Sequence, residues 1–404
     1  MKAVVFHGIG DIRLDDVAEP NIQEPTDAIV RITASAICGT DLHMIRGTMP
    51  GMRDGTILGH EAVGTVEEIG DKVRNLSIGD RVVVPSTIAC GYCSYCRAGY
   101  YAQCDNANPN GKLAGTAFYG GPESTGGFNG MQAEYVRVPF AHVNLVRLPD
   151  AVNDEQAILI SDIFPTGYFG ADLAEIKYGD TVAIFGCGPV GLFAIASAGL
   201  MGAGRILAVD QIPGRLDMAR AQGAEVIDFS RENPVETIRE LTGGIGADRV
   251  IDAVGIDAVH PHGQPGNGGA NEEQFREEVR QVAPDASPHD GNWEPGDAPS
   301  QALRWGVEAV AKAGTLAIIG VYTPQMQTFP IGQAMMKNLT LKMGNCNHRR
   351  YIPDLVNKVK SNVINPLNVL TQQKPLISAI EAYKSFDKRE AGWTKVELVP
   401  SAAA

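Results

Sequence analysis

The chain has 404 residues, a length that favours two or three domains with large cores. Its hydrophobic content of 44% and charged content of 20% are those of a folded globular protein and exclude disorder as the default state. The net charge of -13 argues against nucleic acid or an anionic membrane as the partner, because both are polyanions. A small substrate that is neutral or cationic agrees better with this charge.

Cysteine usage favours a reducing compartment, and hydropathy argues against a signal peptide or a membrane span. Seven cysteines are few for this length, and four of them lie in one cluster, so we expect metal ligation rather than a disulfide framework. The start of the chain lacks the apolar run of a signal peptide, and no segment reaches the roughly 18 apolar residues of a membrane span. We therefore expect a cytoplasmic protein with no membrane partner.

The first part of the chain predicts an irregular, mostly antiparallel β domain. Short β-type runs at 28–37, 62–69 and 81–85 lie among many Gly and Pro residues. From Ala28 onward two sets of side chains alternate, which is the period of a strand with two different faces.

Two short motifs in this domain carry residue types that bind metals. Cys38-Gly39-Thr40-Asp41-Leu42-His43 supplies a thiolate and Gly59-His60-Glu61 an imidazole, each with hydroxyl or carboxylate neighbours. A lone Cys or a lone His is usually a core residue. Together, within one domain, the two motifs favour a metal site.

A cluster of four cysteines follows. Cys90, Cys93 and Cys96 are spaced three residues apart, and Cys104 lies eight residues further on. This spacing lets four thiolates of one loop surround an ion tetrahedrally, with zinc–sulfur bonds of about 2.3 Å. The cluster therefore predicts a structural zinc lobe.

The middle of the chain predicts parallel βαβ units. Between residues 179 and 321 short apolar strands, expected at 181–185, 205–209, 249–254 and 315–321, alternate with helical stretches. Residues 256–299 interrupt the pattern with a long inserted loop rich in Gly and Pro, in which we expect one short helix near 272–282. A strand at 339–343 and helices at 351–361 and 376–386 follow, and this tail is expected to rejoin the first domain.

The first of these strands leads into the motif Gly186-Cys187-Gly188-Pro189-Val190-Gly191. In a dinucleotide loop, Gly186 allows the tight turn, Gly188 lets the backbone approach a pyrophosphate and Gly191 lets helix and strand pack closely. The alternative is a purely structural glycine turn. Asp210, nineteen residues past Gly191, stands where a ribose-binding carboxylate belongs and favours NAD over NADP, although Arg215 nearby is a cation.

The chain resembles the zinc-dependent medium-chain alcohol dehydrogenases from Met1 to about Val399. The resemblance is carried by Cys38-x-Thr40-x-x-His43, Gly59-His60-Glu61, the cysteine lobe, Thr166-Gly167-Tyr168, the glycine loop and Asp210. It implies an α/β protein with two domains. The first is a GroES-like, mostly β catalytic domain of residues 1–162 and 340–404 that carries the lobe at 90–104. The second is a Rossmann domain, a doubly wound parallel sheet that binds NAD, of residues 163–339 with the loop 256–299 inserted.

The resemblance also implies two zinc ions per chain and a set of site residues. Cys38 and His60 are then ligands of a catalytic zinc, and the third ligand is Asp162, where the family commonly has cysteine. Aspartate oxygen binds zinc at about 2.0–2.2 Å, so the site is still complete, and three protein ligands leave one position open for water or substrate. The alternative for Asp162 is a helix cap. Cofactor binding is expected at Thr166, Gly186, Gly188, Pro189, Val190, Gly191, Asp210 and Arg215.

Proton transfer has its own expected residues. By the resemblance, Thr40 passes the substrate proton through the cofactor ribose to His43, whose imidazole exchanges protons near neutral pH. A solvated surface histidine is the alternative for His43. Glu61 is expected to be a neighbour of the ligands or an alternate ligand during water exchange.

The branch within the family is indicated by Asp162. The segment 161–168 resembles the glutathione-independent formaldehyde dehydrogenases and formaldehyde dismutases. Glutathione-dependent members carry an Arg four residues after the last lobe cysteine, and this chain has Asn108 there. We therefore expect a zinc- and NAD-dependent oxidoreductase that interconverts small alcohols and aldehydes, including formaldehyde hydrate, without glutathione.

Several alternatives stay open at this point. They are an aldehyde dismutase with tightly held NAD, a glutathione-dependent formaldehyde dehydrogenase, and a noncatalytic structural relative without catalytic zinc. The segment 315–331 resembles the dimer-forming edge of the family, so a homodimer or homotetramer is expected. Lys395 is a candidate for the cofactor pyrophosphate, and His348 with its two Arg neighbours is expected in a polar loop.

Overall fold

The computed structural model describes residues 1–261 and 272–400, and the chain divides into two compact units. The first unit contains Met1–Pro165, Asp285–Glu294 and the residues from Cys346 onward. The second contains Thr166–Pro284 and Pro295–Asn345. A search of the described residues finds no helix with the length and apolar character needed to cross a membrane.

Strands and helices are numbered here in chain order. The strands are β1 Lys2–Gly8, β2 Asp11–Asp16, β3 Ala28–Ile37, β4 Thr56–Ile57, β5 Ala62–Ile69, β6 Arg81–Val84, β7 Tyr135–Val138, β8 Val146–Arg147, β9 Thr181–Phe185, β10 Arg205–Asp210, β11 Glu225–Asp228, β12 Ala247–Asp252, β13 Val310–Ile318, β14 Thr340–Met343, β15 Gln372–Pro375 and β16 Val396–Val399. The α-helices are α1 Gly39–Arg46, α2 Ser94–Arg97, α3 Ala141–Asn144, α4 Asp154–Ser161, α5 Ile163–Leu173, α6 Pro189–Leu200, α7 Pro213–Ala221, α8 Pro234–Leu241, α9 Glu272–Val282, α10 Gln301–Ala309, α11 Ile331–Met336, α12 His348–Lys360 and α13 Ala379–Asp387.

The first unit is built on two sheets. One has the order β2-β1-β4, and the other has the order β15-β16-β3-β5-β6-β8 with β7 also paired to β3. β3 is buried along most of its length and not only on alternate residues. The reason is that both of its faces are covered: Val30 and Ile32 belong to one core cluster and Ile37 to another.

This unit brings several chain segments to the end of β3. Cys38 follows β3 and precedes α1, while β5 begins directly after His60-Glu61. Asp162 ends α4, and α12 begins at His348. β16 pairs antiparallel with β3, Val396 opposite Ile37, so the residue before β16 also lies there.

The second unit is a six-stranded parallel sheet with the order β11-β10-β9-β12-β13-β14. Along the unit these are its third, second, first, fourth, fifth and sixth strands, which is the doubly wound order of dinucleotide-binding folds. Ligands of such sheets bind at the carboxyl ends of the strands, where the order reverses. That reversal lies at β9, the strand that leads into the glycine loop.

Most predicted elements are confirmed, and three placements need correction. The strands β3, β5 and β9 and the helix α9 have the predicted bounds. The assignment of residues 340–343 to the first domain is wrong, because β14 pairs in parallel with β13 and completes the sheet of the second unit. Within the segment 315–331, Thr315 to Ile318 pair on both sides, so these residues are not the outer edge of the sheet, which is β14. The role of the segment in a dimer stays a prediction.

The third correction concerns the inserted loop 256–299. Its residues 285–294 belong to the first unit. Trp293 is 2% exposed in a core cluster of that unit, and its backbone N–H donates to Asp387 Oδ2 at 2.7 Å. Asp387 also accepts a hydrogen bond from the buried Arg46 at 2.7 Å. The predicted loop residues 262–271 lie outside the described residues.

Candidate metal centre and dinucleotide loop

The backbone around Cys38 fixes its thiol at the start of α1. Cys38 is the N-cap residue, and its N–H donates to Asp41 Oδ2 at 2.9 Å. Burial raises the pKa of the Cys38 thiol, while the charge of His60 opposes this rise. A buried thiol becomes a thiolate when a bound cation compensates the negative charge. A cysteine that ligates a metal must be in this thiolate form.

His60 is oriented by Gly59 and by Asp41. Gly59 has a φ of +91°, and a Cβ there would lie 2.5 Å from Gln132 Cγ, so the turn before His60 requires glycine. His60 Nδ1 lies 3.1 Å from Asp41 Oδ1, an electrostatic contact outside hydrogen-bond geometry. Burial lowers the pKa of His60, but the charges of Asp41 and Cys38 raise it well above its ordinary value. The opposite nitrogen, Nε2, is the one that faces the other candidate ligands.

Asp162 completes this group. Its Oδ2 lies 3.7 Å from Cys38 Sγ and 3.5 Å from His60 Nε2. Its Oδ1 accepts hydrogen bonds from His348 Nε2 at 2.6 Å and from Ser86 Oγ at 3.2 Å. Burial raises the pKa of Asp162, yet the hydrogen bonds from His348 and His60 outweigh it and hold the pKa well below the usual range. Asp162 is therefore an anion at neutral pH.

These distances test whether the residues fit a zinc ion. Bonds of about 2.0–2.3 Å at tetrahedral angles put ligand atoms roughly 3.3–3.8 Å apart. The measured separations of 3.5 and 3.7 Å lie in that interval. Cys38, His60, Glu61 and Asp162 each offer a ligand atom within 4.8 Å of the others, and all four are buried. The donor set of sulfur, nitrogen and carboxylate oxygen is one that zinc prefers.

Glu61 has a carboxylate oxygen within 4.8 Å of the other candidate ligand atoms and pairs with a buried lysine. Its Oε1 is buried and has no hydrogen-bond partner among the described residues. Its Oε2 accepts from Lys395 Nζ at 2.5 Å, and Lys395 Nζ also donates to the Ile37 carbonyl at 3.1 Å. Burial raises the pKa of Glu61 to about 7 against the opposing charge of Lys395. Burial lowers the pKa of Lys395, but the charge of Glu61 raises it above its ordinary value.

The role of Lys395 near the cofactor pyrophosphate stays a prediction, and the structure gives this lysine a carboxylate partner. It is 0% exposed inside the first unit, where its Nζ pairs with Glu61. An unpaired cation would be expensive at this depth, which explains why it meets a carboxylate.

The two predicted proton-transfer residues lie in the same unit. Thr40 Oγ1 is 3.9 Å from Cys38 Sγ. His43 is 3% exposed, and its Nδ1 lies 2.8 Å from Thr48 Oγ1. The surface alternative for His43 is therefore wrong, and its role in proton transfer stays a prediction.

The four lobe cysteines converge as their spacing predicts. Cys90, Cys93, Cys96 and Cys104 offer sulfur atoms within 4.8 Å of one another. Cys93 and Cys104 Sγ are 4.0 Å apart, and Cys96 N–H donates to Cys93 Sγ. Burial raises the pKa of Cys93, but the backbone N–H groups of Cys96 and Asp105 lower it to about 7. Four sulfurs with no open position suit a structural zinc site.

The glycine loop of the second unit has the form that a pyrophosphate needs. Gly186 has a φ of +92°, and a Cβ on Gly191 would lie 1.8 Å from the Gly186 carbonyl oxygen. Both positions therefore require glycine. A Cβ on Gly188 would meet only the end of Arg215, at 3.7 Å, so this glycine leaves space above the loop. α6 starts at Pro189, followed by Val190, and its free N–H groups point toward the place where an anion would bind.

Asp210 ends β10 beside this loop. Its Oδ2 accepts from Cys187 N–H at 2.8 Å, and its Oδ1 accepts from the N–H groups of Gln211 and Ile212. Asp210 thus fixes the loop and places its carboxyl group next to it. Thr166, the remaining predicted cofactor residue, lies in the first turn of α5.

Sequence reasoning missed His348. It is 2% exposed at the start of α12, so the predicted polar loop is wrong at this residue. It lies 186 positions from Asp162 in sequence, and no local pattern links the two. The one signal in the sequence was indirect. An aspartate stands where the family commonly has a cysteine ligand, and a histidine is a suitable hydrogen-bond partner for it.

Comparison with known proteins agrees with this geometry. The family model of the alcohol dehydrogenase GroES-like domain matches residues 24–150, and that of the zinc-binding dehydrogenases matches residues 189–262. The uncharacterized zinc-type alcohol dehydrogenase-like protein AdhB of Bacillus subtilis is 38% identical over 99% of this chain and 100% of its own length. The glutathione-independent formaldehyde dehydrogenase of Pseudomonas aeruginosa is 41% identical over 66% of this chain and 68% of its own length.

Solved structures give the same result. The alcohol dehydrogenase TADH from Thermus sp. ATN1 has 35% sequence identity and a TM-score of 0.79, and covers 99% of this chain and 100% of that chain. The Bacillus subtilis relative and TADH each cover 99% of this chain and so extend over both units. Cys38, His60, Glu61 and the four lobe cysteines lie within the GroES-like match. The chain therefore belongs to the zinc-type medium-chain alcohol dehydrogenase family of oxidoreductases.

Proposed function

We propose that the protein is an NAD-dependent dehydrogenase that interconverts small alcohols and aldehydes, including formaldehyde hydrate, without glutathione. The observation that carries this proposal is the convergence of Cys38, His60 and Asp162 on one buried point. A zinc ion bound there supplies a Lewis acid that favours the alkoxide form of an alcohol, and NAD supplies the hydride acceptor.

The residues of this chain have separable tasks in that reaction. Cys38, His60 and Asp162 hold the ion. Glu61 keeps a carboxylate oxygen aimed at the same point and so can replace a departing water or product. Thr40 passes on the proton released by the substrate hydroxyl, and His43, whose imidazole is held by Thr48, accepts it.

The absence of a cationic anchor supports independence from glutathione. Asn108 occupies the position that the resemblance assigns to an arginine. Its Nδ2 donates to the carbonyl oxygens of Gly115 and Ser124 at 3.1 and 2.9 Å, so it braces a loop. Formaldehyde suits the centre because its hydrate is a diol and can lose hydride as an alcohol does. The partial match to a glutathione-independent formaldehyde dehydrogenase points the same way.

We also propose two zinc ions per chain, a cytoplasmic location and a homodimer or homotetramer. The deciding experiment is a panel of short alcohols and aldehydes with NAD, with and without glutathione, together with a zinc determination. Reduction of NAD by a short alcohol or by formaldehyde without glutathione supports the proposal. Equal amounts of acid and alcohol from one aldehyde without net NAD reduction would identify a dismutase. One zinc ion per chain and no turnover would identify a noncatalytic relative.

Cofactor choice is a separate prediction. Asp210→Asn keeps the size of the side chain but removes the charge that repels a ribose 2′-phosphate and accepts ribose hydroxyl bonds. We expect kcat/KM for NAD to fall roughly 10-fold to 100-fold, because one hydrogen bond to a charged group is lost. We also expect the ratio of kcat/KM for NADP to that for NAD to rise. Steady-state kinetics with both cofactors measures this. Asp217→Asn on the exposed face of α7 is the control, and an unchanged ratio in Asp210→Asn would contradict the assignment.

A further inference from the structure

His348 binds the candidate ligand Asp162 and not the point where the ligands converge. Its Nε2 lies 2.6 Å from Asp162 Oδ1, whereas the oxygen that faces Cys38 and His60 is Oδ2. The two carboxylate oxygens therefore have different partners. Oδ1 is held by His348, and Oδ2 faces the two other candidate ligands.

The donor itself is held from two sides. Thr87 Oγ1 lies 3.1 Å from His348 Nδ1, so a threonine hydroxyl that donates to Nδ1 leaves the proton on Nε2, facing Asp162. Asn347, the residue before His348, accepts a hydrogen bond from Ala102 N–H at 2.9 Å. Ala102 lies two residues before the lobe cysteine Cys104. The start of α12 is thus fixed to the zinc lobe on one side and to Asp162 on the other.

This restraint has a consequence for coordination. An aspartate is free to bind a metal with one or both oxygens, and two bound oxygens would raise the coordination number. Oδ1 already accepts from His348 and from Ser86 Oγ at 3.2 Å. Turning Oδ1 toward the ion would break both of these buried hydrogen bonds, which is costly.

We propose that His348 is a positioning residue that makes Asp162 a one-oxygen ligand and so keeps the centre four-coordinate with one exchangeable position. The proposal rests on the metal centre described under Proposed function. It explains how an aspartate with two oxygens can replace a cysteine with one sulfur as a ligand that binds through a single atom.

The test uses the full-length protein with cobalt(II) in place of the catalytic zinc, because the visible bands of cobalt(II) report its coordination number. In His348→Ala we expect metal affinity at this site, measured by chelator competition, to fall about 10-fold to 100-fold. We also expect the cobalt bands to weaken and shift as the second carboxylate oxygen binds. His348→Gln, which restores an N–H donor, should recover part of both. The lobe ion should stay bound throughout.

Arg349→Ala, in the same turn of α12, is the matched control and should leave the affinity and the spectrum unchanged. A His348→Ala spectrum and affinity equal to those of the unmutated protein would overturn the proposal. If His348→Ala loses its secondary structure, Thr87→Val replaces it as the test, because this variant keeps His348. We expect Thr87→Val to lower the metal affinity of this site about 2-fold to 10-fold. An unchanged metal affinity in Thr87→Val would overturn the proposal. A single lobe ion in the unmutated protein would instead refute the metal centre itself.

Discussion

Asp162→Ala is expected to lower kcat/KM by about 100-fold to 10,000-fold and the zinc content from two ions per chain to one. The variant removes one of three proposed ligands from a buried cluster, and uncompensated burial of the remaining charges costs about 3–5 kcal/mol. Ser86 and His348 lose their shared acceptor at the same time. Steady-state kinetics and metal analysis of the purified variant measure both effects.

Two further variants make this result specific. Asp162→Cys supplies the ligand that is common in the family, so we expect it to keep two zinc ions while losing the hydrogen bond from His348. Asp150→Ala removes an exposed carboxylate before α4 and should change neither quantity. Two bound zinc ions and near-normal turnover in Asp162→Ala would show that Asp162 is not a ligand, and Glu61 would then be the remaining candidate.

The features that sequence predicted well are those whose cause is local. The four lobe cysteines converge because short loops connect them, and Gly186 and Gly191 are required by contacts within one turn. Strand β9 was predictable because its apolar run is bounded by a polar residue and by the glycine loop. Such patterns need no knowledge of the rest of the fold.

The features that sequence missed depend on distant pairing. Lys395 and Glu61 are 334 residues apart, and they meet only because β16 pairs with β3. The apolar character of Trp293 indicates burial but not in which unit, and the structure places it in the first. β14 was assigned to the wrong domain because a short strand carries no mark of the sheet that it joins.

These distant contacts change the interpretation of the zinc lobe. Sequence alone predicted only a structural zinc lobe. In the structure, Ala102 near Cys104 binds Asn347, and the next residue, His348, binds Asp162. The lobe therefore braces the helix that holds Asp162, the proposed third ligand, so we expect loss of a lobe ion to disturb a site to which the lobe contributes no atom.

Lys395→Met is expected to have the largest effect on stability. Lys395 and Glu61 are both 0% exposed at their side chains, with Nζ and Oε2 2.5 Å apart. Removing the cation leaves the Glu61 carboxylate buried without its partner, which costs about 3–5 kcal/mol in the free energy of unfolding. Urea denaturation of the zinc-loaded protein, followed by tryptophan fluorescence, measures this cost.

A second substitution separates the ion pair from the packing of the lysine. In Lys395→Met/Glu61→Gln no unpaired charge is left, so we expect most of the lost stability to return. Turnover should stay low, because an amide is a poorer group than a carboxylate beside a metal centre. The matched surface pair is Lys384 with Glu381, whose side chains are 45% and 76% exposed. Lys384→Met should cost less than about 1 kcal/mol, because solvent screens exposed ion pairs. Equal destabilisation by Lys395→Met and the double variant would mean that the aliphatic part of Lys395, and not its charge, stabilises this region.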